Sequence, residues 1–314
     1  MTDHATPHVL IAHDGSAGAA TAVRAAAGLF PAARASVVTV PQVTGPVGME
    51  PSGLTTVSPE VALQLADALE SEARRQAGET AQQAVERARA LGLQAEAVPV
   101  DPSAPAWAAL LDAAHGLAAD VLACGTRGRG AFARALLGST SASLLHNADL
   151  PVLVVPDGGG TLDGPVVAAY DGSPGATRAI QVVGRLLSGR AAVVAHAWEP
   201  VFHRSLTARA LAAAPVDELH ATVTDLQEAL ANSAAARTQE GVAAARAAGL
   251  DAAGETIESD EGAWRAVAGA ARTHGASVIA TGTRGLGAAR SALLGSVSSG
   301  LIQNAELPIL VVPD

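Results

Sequence analysis

Two stretches of the chain carry the same unusual set of glycines. One reads GTRGRGAFARALLGS from Gly125 and the other GTRGLGAARSALLGS from Gly282, so the pattern Gly-x2-Gly-x9-Gly-Ser stands at Gly125, Gly128, Gly138 and Ser139 and again at Gly282, Gly285, Gly295 and Ser296. Glycine takes backbone angles closed to other residues and lets an anion approach the main chain. The last Gly-Ser opens a helix-like stretch, whose free N–H groups and dipole favour a phosphate there. Thr126 and Gly130 belong to the first stretch and Thr140 follows it; Thr283 and Gly287 belong to the second and Val297 follows it. Arg127, Arg129 and Arg284 lie inside the loops, where they either fork onto phosphates or stand solvated at the surface. Upstream, Asp14-Gly15-Ser16 and Asp171-Gly172-Ser173 each end an apolar run. An acid facing such a loop can hold a magnesium ion on the phosphates or accept from a ribose hydroxyl.

Other chemistry fits the pattern less well. A plain structural reading has the glycines making tight turns and Asp14 capping a helix. A dinucleotide fingerprint is matched by Gly128-x-Gly130-x-x-Ala133, but in the second stretch Arg290 takes the third small position. His13, Asp14 and Ser16 are the residue types of a hydrolytic triad, yet within one turn they cannot align as nucleophile, base and orienter. All 20 basic residues are arginines, which excludes a P-loop lysine or a Schiff base. The net charge of −10 argues against nucleic acid, which needs a basic face. No run approaches the roughly 18 apolar residues that span a bilayer, and the start MTDHATPHVL is unlike a leader, so a soluble cytoplasmic protein is expected. Cys124, the one cysteine, reads as a buried inert thiol. The histidines, among them His115, His146, His196, His203, His220 and His274, read as scattered surface residues, with no metal-ligand spacing repeated. Trp107 and Trp264 read as core packing.

These residues are positioned by a duplicated unit. Shifting the sequence by 157 places lays Asp14 on Asp171, Gly125 on Gly282 and Pro151 on Pro308, with 22 identities between 125–157 and 282–314. Domains of 1–157 and 158–314 follow, joined by the glycine-rich 158–164. In the first copy, strands are expected at 9–13, 35–40, 95–100 and 121–125 and in PVLVVP. Helices are expected from Ser16 to Leu29, up to about Leu91, over 104–117 and over 139–147, and the second copy repeats the series. Alternating strands and helices imply an α/β fold: two tandem open doubly wound sheets, each with five mainly parallel strands and helices on both faces. Short Val/Ile/Leu runs fit strands buried on both sides. In such sheets the ligand crevice lies at the carboxyl ends of strands where their order reverses, which would bring Asp14 and Asp171 to the glycine loops.

With Asp-Gly-Ser, Gly-x2-Gly-x9-Gly-Ser and a terminal P-[VI]-L-V-V-P strand all present twice, the whole chain resembles the tandem form of the universal stress proteins, in their ATP-binding subgroup. The resemblance implies strand order 3-2-1-4-5 and an adenine-nucleotide site, ATP with Mg2+. It implies Asp14 near ribose and phosphates, Val40 lining the adenine pocket, and Gly125, Gly128, Gly138, Ser139 and Thr140 around ribose and phosphates. In the second copy the roles fall on Asp171, Ala197, Gly282, Gly285, Gly295, Ser296 and Val297. Ala197 is smaller than the valine expected there, and His13 stands where a small apolar residue is usual. Occupancy acting in stress response or regulation is expected, without a catalytic residue or fast turnover. An interaction module with empty sites and a slow ATP hydrolase are the alternatives. The last strands of the two copies are expected to meet in an internal pseudo-dimer, and a homodimer of chains is open.

Overall fold

The computed structural model describes residues 6–43, 58–101, 104–128, 137–200, 216–283, 294–304 and 306–314, the side chains of residues 59 and 216–222 excepted. The chain divides into two compact units, Met1–Gly159 and Gly160–Asp314. The first contains β1 (His8–Ala12), α1 (Ala17–Leu29), β2 (Arg34–Val38), α2 (Pro59–Ala90), β3 (Gln94–Ala97), α3 (Ala106–Gly116), β4 (Val121–Gly125), α4 (Ser139–Asn147) and β5 (Val152–Val155). Its strands lie in the order β3-β2-β1-β4-β5, all parallel. The second contains β6 (Val166–Ala169), α5 (Pro174–Leu186), β7 (Ala191–Trp198), α6 (Val216–Ala247), β8 (Asp251–Glu258), α7 (Ala263–Thr273), β9 (Val278–Gly282), α8 (Ser296–Asn304) and β10 (Ile309–Val312). Its order, β8-β7-β6-β9-β10, is the same and again parallel.

The apolar runs of β1, β4, β5, β6, β9 and β10 are buried along nearly their whole length, whereas β3 and β8 are largely exposed. In the first unit α1 packs with α2, and α3 packs with α4. Every residue of β4 and β5 is buried, and each buried Val or Leu contributes roughly 1.5–3 kcal/mol. Helices α1 and α5 start where the sequence offers an acceptor. Ser16 Oγ accepts from Ala19 N–H at 3.2 Å and Ser173 Oγ from Ala176 N–H at 3.1 Å, capping α1 and α5. The long helix α2 stops at Gly92, whose φ of +92° favours glycine, and Leu93 N–H closes back on Ala88 O at 3.0 Å.

β2 and β3 are shorter than the apolar runs suggest. β2 stops at Val38 rather than Val40 and β3 at Ala97 rather than Val100, because Pro41 and Pro99 have no N–H for a ladder. Trp198 and Thr256 occupy those places in the second unit, and there β7 and β8 pair without a break from Ala191↔Asp251 to Trp198↔Glu258. Trp107 and Trp264 are half-buried rather than core residues; Trp264 lies against Gly300 of α8, where a side chain would collide with its ring. No helix among the described residues is long and apolar enough to cross a membrane.

Candidate functional site

The chain leaves β1 through a turn that only glycine makes easily. Gly15 has φ +85° and Gly172, in the second unit, +82°. This turn lets the preceding carboxylate fold back: Asp14 Oδ1 accepts from Ser16 N–H at 3.0 Å, and Asp171 Oδ1 from Ser173 N–H at 2.9 Å. The other oxygen of Asp14 faces the loop after β4. A Cβ on Gly128 would lie 2.6 Å from Asp14 Oδ2, so the carboxylate fills the space a side chain would need.

Two more glycines bring the end of β4 onto the start of α1. A Cβ on Gly125 would stand 2.7 Å from the carbonyl carbon of Gly18, and one on Gly18 would stand 2.8 Å from Arg127 O. The second unit repeats the contact, with Gly282 at 2.8 Å from Gly175 C. The far end of the loop is tied back by Gly138 N–H donating to Thr126 O at 2.7 Å, and by Gly295 N–H donating to Thr283 O at 2.6 Å. Ser141 Oγ donates to Gly125 O at 2.7 Å. Gly138 caps α4 without a side-chain hydrogen bond. The first N–H groups of α4, from Ser139 onward, have no intrahelical acceptor and suit an anion.

A cavity of about 450 Å³ opens between these pieces, within the range of small-molecule sites. Asp14, Arg127, Gly128, Ser139 and Thr140 contribute to its polar lining, with His13 and Gln42. Ala12, Val38, Val40, Ala106, Leu110 and Cys124 form an apolar wall. Asp14, Val40, Gly125, Arg127, Gly128, Gly138, Ser139 and Thr140, separate in the sequence, thus line one cavity, with Thr126 buried beside it. Arg129, Gly130, Arg284, Gly285 and Gly287 lie outside the described residues.

Sequence reasoning missed the wall contributed by α3. Ala106 and Leu110 stand one helical turn apart, a spacing that marks an apolar face but not what the face covers. Cys124 is buried as expected, and burial pushes its thiol up to about 12, against a smaller opposing effect of a Ser141 hydrogen bond. Its position one residue before Gly125 was the available signal that it also belongs to the wall.

The second unit keeps the frame and changes the furniture. Tyr170 replaces His13, and its carbonyl accepts from His196 Nδ1 at 2.7 Å. His196 is therefore buried, not a surface residue as its sequence context suggested. Arg237 of α6 donates through Nη1 to Asp171 O at 3.0 Å, and its Nε lies 3.2 Å from where a Cβ on Gly172 would be. Ala197 sits inside the β7 ladder opposite Ile257, whereas Val40 lies beyond the end of β2. Gly282 ends β9, Thr283 follows it, and Gly295, Ser296 and Val297 begin α8, as their counterparts do in the first unit.

Among the described residues, Asp14 is the only carboxylate lining the cavity, and no group of three or more His, Cys, Asp or Glu side chains is arranged to hold a metal. Magnesium bound through phosphates needs only one or two protein carboxylates. The donor set therefore fits a magnesium ion that arrives with a polyphosphate.

The sequence model of the universal stress protein family matches residues 6–156 and 164–313. A universal stress protein of Mycobacterium tuberculosis is 28% identical over 201 residues, covering 62% of this chain and 61% of the relative. One of Mycolicibacterium smegmatis is 31% identical over 211 residues, covering 65% and 64%. The chain thus spans a little over three fifths of the length of these curated relatives. A universal stress protein from Archaeoglobus fulgidus has the same fold, with a TM-score of 0.65 at 20% identity over 98% of this chain and 99% of that one.

Proposed function

Because the chain belongs to the universal stress protein family, we propose that it is a cytoplasmic regulator that binds an adenine nucleotide, ATP with Mg2+, and acts through occupancy rather than fast turnover. The single observation supporting this most is the cavity of the first unit, whose lining brings together a carboxylate, a glycine loop, a helix start and apolar side chains. A base would lie against Val40 and Leu110. The phosphates would meet the N–H groups at Ser139 and Thr140, and Asp14 would take the ribose or the metal. When bound, magnesium would neutralise phosphate charge. Turnover would be slow because Asp14, the only carboxylate lining the cavity among the described residues, would be taken up by the ribose or the metal.

The test is to denature the purified chain, then identify and count what it releases by chromatography. One or two adenine nucleotides per chain are expected. None released, together with no heat on adding Mg-ATP, would overturn the reading. Asp14→Ala should weaken Mg-ATP by roughly 10- to 100-fold, the worth of a hydrogen bond to a charged group. If Asp171→Ala did so instead, the occupied site would be in the second unit.

A further inference from the structure

Arg127 lines the cavity, yet its charge is spent outside it. Nη2 lies 3.3 Å from Oδ2 of Asp157, two residues beyond the end of β5. Nε is buried and has no hydrogen-bond partner among the described residues. Asp157 lies beside the start of α1: its Oδ1 is 3.3 Å from where a Cβ on Gly18 would be.

The two halves of this guanidinium are in unequal circumstances. The ion pair is half-exposed, at 39% for Arg127 and 50% for Asp157, and pairs of that kind contribute little. A buried N–H without an acceptor is unfavourable. Any ligand that offers two anionic oxygens to the fork would satisfy Nε and an Nη group together, which a single oxygen of Asp157 does not. A nucleotide's polyphosphate in the same cavity offers such oxygens, and a nucleoside offers none.

We propose that Arg127 is a phosphate-reading residue held in reserve by Asp157: the guanidinium exchanges the carboxylate for phosphate when a nucleotide enters, so Asp157 competes with the ligand and lowers the affinity for it. The inference rests on the nucleotide-binding reading above and adds to it a named competitor. Arg284 and Asp314 repeat the same two residue types in the second copy.

The experiment is calorimetric titration of the full chain with Mg-ATP and, separately, with adenosine, for the wild type, Arg127→Gln and Asp157→Asn. Arg127→Gln should weaken Mg-ATP at least tenfold and leave adenosine within twofold. Asp157→Asn should tighten Mg-ATP two- to fivefold, again without moving adenosine. An unchanged ratio of the two affinities in Arg127→Gln overturns the role of Arg127. Weaker Mg-ATP binding in Asp157→Asn overturns the competition. A wild type that binds neither probe would refute the nucleotide reading itself, which distinguishes the two failures. Because Asp157→Asn is expected to gain affinity, a damaged fold cannot imitate its result.

Discussion

The two units share one scaffold and line its cavity region differently. Ser16 and Ser173 cap equivalent helices, Asp14 and Asp171 fold back on equivalent turns, and Gly125 and Gly282 meet equivalent glycines. Against this constancy, the wall of Val38, Val40, Leu110 and Cys124 corresponds to Ala195, Ala197, Val267 and Thr281. Three of those positions have lost carbon and the fourth has gained a hydroxyl. Backbone contacts that set the path of the chain have thus been retained where side chains that would touch a base have not. The lesson is that recognising the fold twice does not assign the ligand twice.

Valines at the shared glycines would sharpen that contrast most. Gly125→Val and Gly282→Val each drive a side chain into backbone, and each should cost about 3 kcal/mol or more in its own unit. Calorimetric unfolding that resolves the two units would check this. Similar losses are expected, and a much smaller loss for Gly282→Val would break the claim of equal scaffolds. The next effect is on the wall. Val40→Ala should weaken adenosine by about 1 kcal/mol, roughly fivefold, through lost dispersion contacts, and Ala197→Val should not weaken it. Titration of each variant with adenosine decides between the units.

The smallest effect concerns pH. His8 is buried in β1, with Nε2 2.9 Å from Ser36 Oγ and Nδ1 3.1 Å from Leu117 O. Desolvation, helped by the charge of Arg34, holds its pKa below the usual 6.5. The folded state therefore favours the neutral ring. Its contribution is complete above pH 6.5 and is lost as pH falls through the lowered folded value, where the unfolded chain takes up a proton first. Pro165 occupies this position in the second unit. Acidification from pH 7.5 to 5 should lower the first unit's unfolding temperature more in wild type than in His8→Gln. Equal slopes would remove the difference.

Much of this fold could be read in the chain because local rules and tertiary packing agree. The strand Val121–Gly125 and the helix Ser139–Asn147 fall where apolar run and Gly-Ser place them. Asp14 reaches Gly128 because the ends of neighbouring parallel strands must open on the same side. The ends of β2 and β3 fall short of the expected ones because their apolar patterns run up to Pro41 and through Pro99, and hydropathy does not register a missing N–H. The α3 wall was out of reach for another reason. Ala106 and Leu110 carry no chemistry of their own and acquire a role only from what they face. Asp157 was invisible likewise, since nothing in LVVPD announces an arginine thirty positions upstream.

The paired glycines also bear on how this sequence can change over generations. Where Gly125 meets the main chain of Gly18, and Gly282 that of Gly175, a larger residue finds backbone in its way, and no change of residue type at the partner removes backbone. A mutation at one position finds no second-site suppressor at the other. The surrounding wall can drift one residue at a time, through viable intermediates, toward a new ligand or none. Gly125 and Gly282 can only be inherited unchanged or lost along with the half that contains them, which makes them markers of the repeated unit rather than of its present use.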